Sequence, residues 1–428
     1  MLIITAPGQG AQTPGFLAPW LELPGVAERL GAASELAGCD LIRSGTTASA
    51  DEIRDTAVAQ PLLVAAAIAA AAALGGQRGD VLADAAAGHS VGELAAGVVA
   101  DVLTADDAMR LVGVRGRAMA AAAAVEPTGM TAVLGGDQDA VLAAIARHGL
   151  TPANVNGAGQ IVAAGTLAEL EAFAADPPAG ARLCPLQVAG AFHTRHMAPA
   201  VAALRDAAAD VAVADPALTL LSDADGAAVT TGKEWLERIV AQVAAPVRWD
   251  LCMQTMAGLG VTAFIELPPG GTLTGLARRA LPSVAQLAIK TPEQLDAARE
   301  LIAEHAEHAQ PDGHGHLPEW RLIVAPTSGT FRSPPRRDGA TTVAPTGELG
   351  TVVTRGGERA VTAPWPAEII EWLAEDGDPV SEGQPLVRVQ PTAAGPGGTS
   401  PRNDRTRDVR ALDDRTRDGR ARDGRESA

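Results

Sequence analysis

Gly88-His89-Ser90-Val91-Gly92-Glu93 follows an apolar run, residues 81–87, and leads into a helical stretch from Val91 onward. A serine between two glycines at a strand-to-helix corner reads as a nucleophile elbow. The glycines lack the Cβ atoms that a sharp turn would crowd, and the turn presents the serine hydroxyl at a helix N-terminus. There the helix dipole and the Val91 backbone N–H favour negative charge on a neighbouring acyl oxygen. The chemistry implied is acyl transfer or acyl hydrolysis. The plain alternative is a glycine turn with no chemical role.

The composition sets the frame for that site. A chain of 428 residues, 47% of them hydrophobic, has room for about two or three domains and a sizeable core. The longest apolar run, residues 62–74, is mostly alanine and falls short of the roughly 20 residues a bilayer span needs, so it reads as a buried helix. The N-terminal MLIITAPGQG has neither the basic start nor the cleavage site of a secretory signal, and a cytoplasmic protein without membrane attachment is expected. Cys39, Cys184 and Cys252 are odd in number and widely spaced, which suggests reduced core thiols and neither a disulfide framework nor a zinc site. A net charge of −17 argues against nucleic-acid binding, which needs a basic face.

Residues 1–303 alternate strand-like and alanine-rich helical runs, the pattern of an α/β domain built on a mostly parallel sheet. Within it, residues 126–189 read as strand, helix, strand, strand, helix, strand, a ferredoxin-like order. Residues 304–320 turn His-, Gly- and charge-rich and read as a linker. Its histidines, His305, His308, His314 and His316, are either a metal-binding set or, as we read them, part of that solvated linker. Residues 321–391 carry short β-like runs between Gly and Pro turns, a small β-domain. Residues 392–428, with DRTRD twice, cannot bury enough apolar surface to order themselves and are expected to be a disordered tail.

An acyl-transfer site needs a base, an oxyanion hole and a group that recognises the acyl chain. His193, in Gly190-Ala191-Phe192-His193, is the candidate base, with His196 next in line; a packed or surface histidine is the alternative for each. Pro7-Gly8-Gln9-Gly10-Ala11-Gln12 leaves the end of the first strand-like run, at the sheet edge where ligands bind in α/β folds, and is either part of a site or an ordinary turn. It lacks the lysine of a phosphate-binding loop. Arg115 shares helical spacing with Ala108, Leu111 and Met119, so it points inward. A buried guanidinium needs a partner, and that partner is either a protein Asp or Glu or the free carboxylate of a substrate.

With these residues stand Gln60-Pro61, Arg115-Gly116, NVNGAGQIVAAG at 154–165, GAFH at 190–193, QVAAPVRW at 242–249 and ELPPGGTLTGL at 266–276. Together and in this order they resemble the malonyl-CoA:acyl carrier protein transacylases of fatty-acid synthesis and the acyltransferase domains of polyketide synthases. The resemblance implies a hydrolase-like α/β core in which Ser90 is the nucleophile, His193 its base, and the backbone carbonyl of Gln242 the group that orients the imidazole. It implies an oxyanion hole from the Gln9 and Val91 N–H groups. It further implies that Arg115 holds the malonyl carboxylate, that Gln60 and Asn156 line the pocket, and that Phe192 excludes a 2-methyl branch. Malonyl-CoA and acyl carrier protein would be the partners, with no cofactor or metal. Two positions depart from the family pattern: Ala11 replaces a usual serine, and Asp223 stands where asparagine is frequent. A trans-acting polyketide acyltransferase and a serine acyl-CoA esterase are the alternatives.

A second resemblance covers the C-terminal segment. APTSGTF at 325–331, EDGDPV at 375–380 and EGQPL at 382–386 are similar to a biotinyl/lipoyl carrier barrel. Such carriers acylate a hairpin lysine, but no lysine follows Lys290, and the expected hairpin reads TRGGER at 354–359.

Overall fold

The structure, a computed structural model, describes residues 1–75, 82–188, 190–308, 321–333, 342–344, 347–354, 356–363, 366–381 and 383–391. The expected tail, most of the expected linker with His314 and His316, and Arg355 lie outside the described residues. The chain divides into two compact units, Met1–Pro311 and Asp312–Ala428.

The first unit is built on a six-stranded sheet. Its spatial order is Ala285–Ala288, Ala263–Glu266, Leu2–Ala6, Ala85–Gly88, Thr219–Leu221 and Ala228–Val229; the first five run parallel and the last pairs antiparallel. Side chains alternate between two cores, as the period of a strand requires. Ile4, Ala86, Leu220 and Ile265 face one cluster with Trp20 and Trp235, whereas Ile3, Ala87, Leu221 and Phe264 face another with Trp249 and Met256. Residues 62–74 belong to the helix Thr56–Leu74, which is long and apolar enough to cross a membrane but lies largely buried within the fold.

Two loops emerge side by side from this sheet. Ala6 pairs with Gly88 at the carboxyl ends of adjacent parallel strands, and the His89 N–H donates to the Ala6 carbonyl at 3.0 Å. The expected turn at residues 7–12 and the elbow therefore share one sheet edge.

The insert forms a separate antiparallel sheet in the order Thr151–Gly157, Gln160–Thr166, Thr128–Gly135, Ala181–Pro185, with the helices Gln138–Arg147 and Leu167–Ala175 between strands. That is the ferredoxin-like arrangement. Val133, Ile145, Ile161 and Phe173 form its core. Reciprocal backbone hydrogen bonds at 2.8 Å, from Val155 N–H to the Val247 carbonyl and from Val247 N–H to the Ala153 carbonyl, tie it to the loop that follows the helix Gly232–Gln242.

Three expectations need correction. The helix Leu295–His308 runs through the start of the expected linker, because Leu295 and Ala298 bury against the first core and His305 Nε2 lies 3.1 Å from Thr262 Oγ1. Of the three thiols only Cys252 is buried; Cys39 and Cys184 are half-buried. The strand before the elbow is shorter than residues 81–87, spanning Ala85–Gly88.

Among its described residues the second unit has two four-stranded sheets. One orders Arg321–Val324, Pro385–Pro391, Ala367–Trp372, Thr342–Val343; the other orders Gly357–Thr362, Glu348–Thr354, Gly329–Arg332, Pro379–Val380. Phe331, Val352, Leu386, Val387 and Val389 fill its core. Glu348–Thr354 and Gly357–Thr362 form the hairpin expected near residues 354–359.

Candidate active site

The elbow is tight because its backbone leaves no room for side chains. A Cβ on Gly88 would lie 2.1 Å from the Glu93 nitrogen, and one on Gly92 would lie 2.2 Å from the Ala6 carbonyl oxygen. Between them Ser90 takes a positive φ of 53°, a left-handed conformation that a non-glycine residue adopts at a cost and that is common where function demands it. The helix Gly92–Val99 begins directly after the turn.

His193 reaches Ser90 from a second strained corner, with φ 60°. Its Nε2 lies 2.7 Å from Ser90 Oγ, and its Nδ1 lies 2.9 Å from the Gln242 carbonyl oxygen. A carbonyl can only accept, so Nδ1 carries the proton and Nε2 is left free to accept from the serine hydroxyl. The ring is buried. Burial first, and the nearby Arg115 second, lower the His193 pKa from 6.5 to about 3, so the imidazole is neutral at physiological pH.

Arg115 lies on the helix Ala105–Ala123, whose glycines let it approach its neighbours closely. A Cβ on Gly113 would lie 2.5 Å from the Ala37 carbonyl oxygen, and one on Gly116 would lie 2.9 Å from that of Thr56. The guanidinium is 1% exposed. It donates to Gln60 Oε1 at 2.7 Å, to Gln242 Oε1 at 3.0 Å and to Ser90 Oγ at 3.2 Å. All three acceptors are neutral, so of the two partners weighed from the sequence, a contacting protein carboxylate is not found among the described residues. Burial lowers the Arg115 pKa to about 10.

The remaining expected residues fall into two groups. The Gln9 and Val91 N–H groups donate to no protein acceptor among the described residues. A Cβ on Gly8 would lie 2.9 Å from His89 Nδ1, so the turn at residues 7–12 presses against the elbow. Asn156 joins the site only through its neighbours: its Oδ1 lies 2.9 Å from His89 Nε2, and its Nδ2 donates to Gln160. Phe192 is buried in the first core beside Gly190. His196 turns away, with Nδ1 3.2 Å from Glu126.

Asp223, marked in the sequence only as a departure from the family pattern, lies under the elbow and meets Glu93 there, which sequence reasoning missed. Asp223 Oδ2 accepts from the Ser90 N–H at 2.6 Å, and Glu93 Oε1 accepts from the Asp223 N–H at 2.9 Å. The Gln242 side chain, expected to act only through its backbone, donates to both carboxyl groups. An acid at the end of an apolar strand, Leu220-Leu221-Ser222-Asp223, was the available signal.

The acyl transferase domain family matches residues 7–309. The chain is 54% identical over 299 residues to a malonyl CoA-acyl carrier protein transacylase of Mycobacterium bovis, covering 69% of this chain and 98% of that one. Its fold matches the crystal structure of MCAT from Mycobacterium tuberculosis at a TM-score of 0.68 and 53% identity, over 70% of this chain and 99% of that one. It also matches, at a TM-score of 0.65 and 28% identity over 70% and 99%, a malonyl-transacylase in complex with a type II PKS acyl-carrier protein. With a family match over residues 7–309 and a relative 54% identical over nearly its whole length, the chain belongs to the malonyl CoA-acyl carrier protein transacylase family.

Proposed function

We propose that the protein transfers a malonyl group from malonyl-CoA to the phosphopantetheine thiol of acyl carrier protein, in fatty-acid synthesis, through a malonyl ester on Ser90. The observation that carries this reading is Arg115: a buried guanidinium one hydrogen bond from the nucleophile, with no carboxylate among its hydrogen-bond partners in the described residues.

His193 Nε2 takes the Ser90 proton as Oγ attacks the thioester carbon. The developing oxyanion turns toward the Gln9 and Val91 N–H groups, and the tetrahedral adduct collapses as CoA leaves with the proton from His193. The carrier thiol then gives its proton to the same nitrogen and attacks the ester, regenerating Ser90. Arg115, braced by Gln60, takes the distal carboxylate, which a guanidinium fork can grip through two parallel hydrogen bonds. Phe192 closes the pocket against a 2-methyl branch.

Residues 1–303 carry the activity and 304–320 link it to the β-unit, which we read as a biotinyl/lipoyl-like barrel that cannot be acylated, since no lysine follows Lys290. We place the enzyme in the cytoplasm, in keeping with an apolar helix packed inside the fold. The test is transfer to purified carrier protein read by intact mass. A malonyl increment on the carrier is expected; malonyl-CoA hydrolysis with an unmodified carrier would instead identify an esterase.

A further inference from the structure

Two carboxyl groups beneath Ser90 take no part in the mechanism above. Glu93 and Asp223 are 1% and 0% exposed. They come from different elements, the helix Gly92–Val99 and the turn after Thr219–Leu221. The Gln242 amide nitrogen donates to Glu93 and, at 2.6 Å, to Asp223, while its amide oxygen accepts from Arg115 at 3.0 Å. One side-chain amide thus bridges a buried guanidinium and two buried carboxyl groups.

Counting charge in this closed cluster leaves one favourable state. Two adjacent carboxylates out of water, served by one shared amide, two backbone N–H donors and the Ser222 hydroxyl, do not both ionise. A buried guanidinium with no counter-charge is equally costly. One proton on the pair satisfies both constraints. Burial and the neighbouring Asp223 push Glu93 well above the usual carboxylate range, and burial raises Asp223 as well, so the pair holds a proton between them. Besides Arg115, the ionisable groups near the pair are His89, whose Nε2 meets Asn156, and Cys252, whose Sγ donates to the Ser222 carbonyl and which also senses Asp250 and Asp225.

We propose that Glu93 and Asp223 share a single proton, and that the one negative charge they retain is the counter-ion of Arg115, relayed through Gln242, so that this pair sets how strongly the pocket attracts an acyl carboxylate. The last clause rests on the reading of Arg115 as the malonyl receptor; the shared proton does not. The pair acts through Arg115 and Ser90 and touches no substrate, so these are positioning residues.

Infrared difference spectra of the full chain at neutral pH test the proton count. Wild type is expected to show the C=O stretch of a neutral carboxylic acid, and both Glu93→Gln and Asp223→Asn are expected to lack it, because the carboxyl left in each keeps the single negative charge. No such band in wild type, or a band that survives in either variant, would overturn the shared proton. The double variant Glu93→Gln/Asp223→Asn tests the consequence. With the resident charge removed, KM for malonyl-CoA should fall about tenfold relative to KM for acetyl-CoA, the scale of a unit charge acting across a partly screened interior. An unchanged ratio in a folded double variant would overturn the control of attraction. A wild type that does not distinguish malonyl from acetyl groups would instead overturn the reading of Arg115 and leave the infrared result standing.

Discussion

Arg115 Nη2 stands 3.2 Å from Ser90 Oγ, so the cation and the nucleophile are in direct contact before any substrate arrives. On the proposed reading, an acyl group esterified to that oxygen and carrying a carboxylate at its far end would fold back onto the same guanidinium. Selection for the acid group would thereby be exerted at the reacting centre.

Arg115→Ala should lose malonyl transfer by about a hundredfold, on the scale of a charge-assisted hydrogen bond left unmade, while keeping or gaining acetyl transfer. Parallel assays with malonyl-CoA and acetyl-CoA check this. Equal losses with both substrates would make Arg115 a structural residue.

His193→Ala should slow Ser90 acylation by about a hundredfold or more, the range of a lost general base. The pH profile carries more information. Because the free imidazole has its pKa lowered to about 3, the base is already neutral at ordinary pH, and kcat/KM should show no loss near pH 6.5 as the medium is acidified. The positive charge of Arg115 contributes to that depression, so Arg115→Ala should raise the His193 pKa and move the acid limb upward. Acetyl loading measured across pH for both proteins would reveal the shift.

The elbow's glycines are expected to be irreplaceable where they meet backbone. Gly92→Ala would drive a Cβ to within 2.2 Å of the Ala6 carbonyl and should cost about 1–3 kcal/mol of stability together with Ser90 acylation. Gly275, inside the helix Thr272–Ala280 with open space around its Cα, is the contrasting position: Gly275→Ala should stabilise by about 0.5–1 kcal/mol and leave acylation intact. Thermal unfolding and acylation of both variants decide the matter.

A protein ending at Pro311 should fold and retain malonyl transfer, since Met1–Pro311 forms one compact unit that contains every residue assigned to the chemistry. A cut at Glu304 is expected to be less stable, because it removes the last turn of Leu295–His308 and the His305 contact to Thr262. Solubility and transfer assays on the two truncations separate these outcomes.

Much of this was legible from residue patterns. The Ser90 elbow, the inward face of Arg115 and the strand-helix order of the insert follow from glycine sterics and from periods of 3.6 and 2. What local pattern could not reach was the layer beneath the site. Asp223 and Glu93 are 130 positions apart and meet only because the strand Thr219–Leu221 lies beside Ala85–Gly88. The end of the catalytic unit was misplaced for a related reason: Glu304 to His308 look like linker by composition but are held in a helix whose earlier turns bury Leu295 and Ala298.

The most direct test of the account is mass mapping of the protein after incubation with malonyl-CoA alone. A malonyl increment on the peptide containing Ser90, absent in Ser90→Ala, is expected. No adduct in wild type, or the same adduct in Ser90→Ala, would contradict the assignment of Ser90 as the nucleophile.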